Sequence, residues 1–146
     1  MRKILPLLLA LLMLACNRTE HKSVSDPAYS MLERVAELNA GGDKQGALAL
    51  ADSALLMHPA DTTRCWLLSE KAVTLVDMGR MADAVGVAQG AYRLAEKLHD
   101  VDAMLNLRGT MGIAYRRLGK TDSALVQYKE GIQMALAKHN AEYEIY

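Results

Sequence analysis

The same punctuation recurs three times along this chain, and it leaves few folds open. The segments GDKQGA (42–47), GRMADA (79–84) and GKTDSA (119–124) each set a glycine five residues before an alanine. The alanines stand 37 and 40 residues apart. A period of this length marks small units that bury their apolar faces against one another. Ahead of each glycine runs one helical stripe: Met31, Val35, Leu38; then Leu68, Ala72, Leu75; then Met104, Leu107, Met111, Tyr115, Leu118. Behind each alanine runs another: Ala47, Ala51, Ala54; then Ala84, Ala88, Ala91, Ala95, Leu98; then Ala124, Tyr128, Gly131, Ala135. Steps of three and four residues keep side chains on one helix face, and no stretch alternates with the period of a strand. Gly42, Gly79 and Gly119 suit the left-handed position that closes a helix before a tight turn. Pro27 suits a first helical turn, and Pro59 the stretch just past a helix end. The spacing predicts an all-α chain of helix pairs.

Composition narrows the function. Lys+Arg and Asp+Glu number 17 each in 146 residues, which lacks the basic excess of a nucleic-acid binder. Two cysteines make no disulfide framework and lack zinc-site spacing. The length suits one domain.

These stripes and small residues resemble the tetratricopeptide repeat, a helix-turn-helix unit. The signature's small residues fall at Ala72 and Gly112 in first helices, and at Ala47, Ala84 and Ala124, then Ala54, Ala91 and Gly131, in second helices. Its aromatic positions hold Tyr115 and Tyr128 in the best-matching third unit, and Pro59 closes the first. The units fall near 28–61, 65–104 and 105–140 of an array over 27–146, and residues 141–146 are expected to open a fourth. The resemblance implies a right-handed superhelix, an α-solenoid of nearest-neighbour contacts. It also implies that the first helices line a concave groove for a protein or peptide partner. Residue by residue, the groove positions are Tyr29, Leu32, Ala36 and Asn39; Trp66, Ser69, Val73, Val76 and Asp77; and Asn106, Gly109, Ile113, Arg116 and Arg117. Aromatics and arginines are the types enriched in binding hot spots; packing against the next repeat competes for Trp66. The carboxylate clamp of heat-shock chaperone partners is absent, since Leu32, Ala36, Glu70, Asn106 and Thr110 hold its positions.

The amino terminus reads as an address. Arg2 and Lys3 precede an apolar run from Ile4 to Ala15. Twelve residues of helix span about 18 Å at ~1.5 Å each, short of a hydrocarbon core of ~30 Å, so the run suits a secretory signal. Met13-Leu14-Ala15-Cys16 resembles the lipobox of bacterial lipoproteins, with Met13 in place of the commoner Leu. That resemblance implies a signal peptide over 1–15, cleavage before Cys16 and a lipid (diacylglyceryl, with palmitate-type acylation) on Cys16. Residues 16–26 are polar without an apolar period and read as a flexible tether. The expected location is the cell envelope. Asn17 rather than Asp after the cysteine favours the outer membrane, facing the periplasm.

No chemistry stands out. Lys120 and Thr121 follow Gly119 as in a phosphate-binding loop, but Ala114 stands where that loop needs glycine. His58, His99 and His139 fall one repeat apart at expected ends of second helices, where imidazole complements the last carbonyls. Cys65 reads as a packing thiol without a local base. The expectation is a non-enzyme without metal or cofactor beyond the lipid. The expected function is that of a membrane-anchored interaction scaffold; the alternative is the truncated envelope-side sensor portion of a repeat-containing signalling regulator. Leu125, Tyr128, Ile132 and Ala135 lack a full helix beyond them, which predicts a fragment of a longer array or self-association through the C-terminal repeat.

Overall fold

Aspartate caps set three of the helix starts. The computed structural model describes residues 26–143, with side chains to Ala141. Asp26 opens α1 (Pro27–Gly41), its carboxylate accepting from the Ala28 N–H at 3.1 Å, with Pro27 in the first turn. Asp43 opens α2 (Lys44–Leu55) by accepting from Gly46 N–H at 2.9 Å. After a five-residue turn come α3 (Asp61–Asp77) and α4 (Met81–Leu98). Asp100 caps α5 (Val101–Arg117), and α6 spans Thr121–Tyr143. At the starts of α1, α2 and α5 the aspartate oxygens satisfy backbone donors that have no partner within the helix.

The glycines close the first helices as the sequence predicts. Gly42, Gly79 and Gly119 have φ of 87°, 81° and 73°. At Gly79 and Gly119 the following residue's N–H returns to a carbonyl five back: Arg80 to Leu75 at 2.8 Å, Lys120 to Tyr115 at 2.9 Å. The second helices end differently. His99 takes the left-handed position itself (φ 54°), with Asp100 N–H bonded to Ala95 O at 3.0 Å, and His58 lies at φ 51° after α2. These two histidines do mark helix ends, through their backbones. His139 does not, because α6 runs unbroken through it to Tyr143. Residues 141–143 therefore continue α6 instead of opening a fourth unit. The reversal after α4 needs a left-handed residue and an Asp cap, whereas Asn140 and Ala141 simply extend the helix. Asp26, grouped with the tether by its polarity, belongs to the folded array. The expected signal peptide, Cys16 and the rest of the tether lie outside the described residues.

Packing then builds a solenoid. Each helix packs on the next, and first helices α1, α3 and α5 also touch one another in turn. Among the described residues α2, α4 and α6 do not touch one another, so the array curves with the first helices inside. The core is built of small residues: Ala47, Ala51, Ala54, Ala72, Ala84, Ala88, Ala91, Ala95, Ala103 and Ala114 are buried. Leu67, Leu75 and Leu107 are the largest fully buried side chains. Alanine lets helix axes approach closely, and at one close approach even a Cβ has no room. A Cβ on Gly112 would stand 2.8 Å from Cδ1 and Cζ of Tyr128. At the far end Leu125 and Ile132 stand 59% and 61% exposed. Forty residues earlier, their counterparts Val85 and Tyr92 pack in the clusters that α5 completes.

Candidate functional site: the inner face and the polar links across it

The inner face is formed by α1, α3 and α5, and its polar groups divide into those tied up between helices and those left outward. Asn39 is buried: its amide donates to Glu70 Oε2 at 2.9 Å and its carbonyl oxygen accepts from the Thr74 hydroxyl at 2.9 Å. Ser69 is also buried and donates to Asn106 Oδ1 at 3.1 Å. Both are correctly placed on first helices, yet neither presents its side chain to a ligand. Adjacent first helices pack directly, so an inward position leaning towards its neighbour is covered, and a polar group there must be paired. Trp66 is half-buried against the cluster around Cys65, Ala103 and Leu107, and its indole N–H donates to Asp100 Oδ2 at 3.0 Å. The same Asp100 caps α5 through its other oxygen, at 3.0 Å from Ala103 N. Trp66 thus ties α3 to the start of α5.

The remaining positions vary in freedom. Leu32 packs half-buried against Ala28 and Val35; Ile113 packs against Leu75, Val76 and Ala114. Val73 and Gly109 are half-buried, Ala36 is exposed and Val76 is buried. Asp77 pairs with Lys44 at 2.7 Å, and Lys44 also donates to the Asn39 backbone carbonyl at 2.7 Å. Arg117 donates to Val76 O at 3.0 Å, where a cation also complements the negative end of α3. That leaves Tyr29 and Arg116 exposed, together with Asn106, whose Oδ1 is already the acceptor for Ser69. Sequence reasoning missed Glu70 and Thr74 as partners in the ladder; a buried Thr in an apolar stripe is its only trace.

On the opposite side, a cleft of about 370 Å³ opens between α4 and α6 over α5. Arg108 lies across it with its guanidinium carbon 4.6 Å from the Tyr92 ring centre. It donates to Tyr92 Oη at 3.1 Å and to Gln127 Oε1 at 3.1 Å, and pairs with Glu130. The signal for it was a lone arginine between Met104 and Met111 on one helix face. Its Nε and Nη1 donors are met inside the fold, so this group joins three helices. Cys65 is buried, and burial, with Asp100 nearby, pushes its thiol up to about 11. A thiol so protonated is a poor nucleophile. Among the described residues no group of three His, Cys, Asp or Glu could hold a metal, and no helix is long and apolar enough to cross a membrane.

The tetratricopeptide repeat profile matches residues 63–137, just over half of the chain. The chain belongs to the tetratricopeptide repeat family. The match spans α3 to α6; α1 and α2 lie outside it but pack in the same order, with α3 on both. No curated protein and no solved structure gives a significant match. Repeats of this family serve protein–protein interaction, and the ladder above holds the inner face of this one in a single arrangement.

Proposed function

We propose that this chain is a lipid-anchored interaction scaffold of the bacterial cell envelope, held by Cys16 and taking a peptide or protein segment along its inner face. The observation that carries the reading is the division of polar groups on that face. Asn39, Glu70, Ser69, Thr74, the Asn106 carbonyl oxygen and the Trp66 N–H are used between helices, while Tyr29 and Arg116 are exposed. A rigid surface with a few projecting aromatic and arginine side chains is what peptide capture requires. The lipobox-like MLAC (13–16) supports the anchor; one acyl chain binds marginally and two or more hold stably. Asn17 rather than Asp after the cysteine supports the outer membrane, facing the periplasm. The exposed Leu125 and Ile132 of α6 support a second contact, with another copy of the chain.

A photo-crosslinker at position 116, compared with one at position 97 on α4, tests the groove in cells. Specific adducts from 116 alone, lost on Tyr29→Ala, support it; equal patterns from both positions refute it. Palmitate labelling of the wild type and not of Cys16→Ala tests the anchor separately. Sedimentation tests the α6 contact: a monomer at every concentration removes it.

A further inference from the structure

We infer that the turn between α2 and α3 is the face this domain lays against the lipid surface, with Leu56 and Met57 entering the headgroup boundary. This rests on the anchor at Cys16 proposed above. Leu56 is 79% exposed, the most exposed of the large hydrophobic side chains described, and Met57 beside it is exposed too.

The backbone holds them there. Pro59 is buried and has no N–H to continue α2. His58 reverses the chain from the left-handed region, where a non-glycine residue is strained. Leu56 and Met57 N–H groups are still bound to Asp52 O at 3.3 Å and Ala54 O at 3.1 Å, so the backbone is fixed while both side chains point out. The corresponding turn after α4 carries His99 and Asp100 instead.

The tether ends at this place. Asp26 Oδ2 accepts from Ala60 N–H at 3.1 Å, four residues beyond Leu56. Only residues 17–25 separate Asp26 from Cys16, and ten steps of ~3.5 Å keep this corner within about 35 Å of the lipid. The chemistry also suits lipid. Both side chains are exposed, and the neighbouring Asp61 and Arg64 face each other at 3.8 Å, so no single charge dominates. Two apolar side chains on a rigid turn would set the orientation of an already anchored domain.

The test uses the full chain, exported with its own signal and reconstituted in vesicles of phosphatidylethanolamine and phosphatidylglycerol. An environment-sensitive NBD dye is placed on Leu56→Cys or, as control, on Val126→Cys. Val126 is 49% exposed near the start of α6, at the opposite rim, and buried Cys65 does not compete for dye. The expected result is a blue shift and brominated-lipid quenching at 56 and a water-like signal at 126. Signals that stay water-like at both positions while the protein floats with the vesicles overturn the inference and leave the anchor standing. A protein that neither takes up palmitate nor floats overturns the anchor and the inference together. A blue shift at 56 equally present in Cys16→Ala without vesicles assigns the turn to a protein contact and overturns it as well. Paired Leu56→Ser and Met57→Ser substitutions should keep helicity and the anchor but increase protease access to the turn.

Discussion

Replacing Gly112 by alanine should destabilise this protein, although the same change three residues earlier should stabilise it. Both Gly109 and Gly112 lie inside α5. Glycine in a helix interior costs about 0.5–1 kcal/mol relative to alanine, so helix propensity alone favours both substitutions equally. The surroundings differ. A Cβ at Gly109 meets nothing within 4 Å, whereas at Gly112 it stands 2.8 Å from two ring carbons of Tyr128. Carbon pairs rest at roughly 3.5–4.0 Å, so the ring must retreat by about 1 Å. Overpacking of this kind costs about 1–3 kcal/mol. Gly112→Ala should therefore fall about 1–3 kcal/mol below Gly109→Ala, roughly 4 °C in Tm for each kcal/mol in a domain of this size. Urea unfolding of the two variants measures the difference, and Tyr128→Leu completes the cycle: without the ring, Gly112→Ala should turn stabilising. Equal stability of the two alanine variants in the wild-type background would refute the close approach of α5 and α6 as the reason for the glycine.

Other outcomes follow from the same geometry. His99→Gly should raise stability by about 1 kcal/mol, since the left-handed position is strained for any residue with a Cβ, read by the urea midpoint. The Thr63 hydroxyl, with the N–H groups of Ala28 and Ala60, holds the Asp26 carboxyl below its ordinary value of 3.8 against desolvation. A carboxyl lowered on folding stabilises the fold above its unfolded pKa, and that contribution is lost as pH falls from about 3.8 through the lowered value. Asp26→Asn should therefore be less sensitive than wild type over that acid range in thermal melts. Cys65 should resist alkylation at pH 8 while folded and react once urea exposes it; rapid native reaction would contradict its buried, protonated state.

The repeat, the helix count of each unit and the turn glycines were legible in the sequence, because they rest on local rules. A 3.6-residue period marks a buried face, and a glycine at positive φ ends a helix wherever it occurs. Ala72, Gly112 and Tyr128 were legible as signature positions for the same reason. Three things depended on the tertiary structure. Burial of Asn39 and Ser69 comes from direct contact between neighbouring first helices, and hydrogen bonds spanning 31 to 37 residues leave no local pattern. Trp66 could face a groove or a neighbour on periodicity alone; the position of the Asp100 carboxylate decided it. The end of α6 was a third: periodicity places His139 where His99 stands, yet the helical backbone continues through it to Tyr143. Local sequence specifies which face of a helix is apolar, but which neighbour covers it is a property of the assembled array.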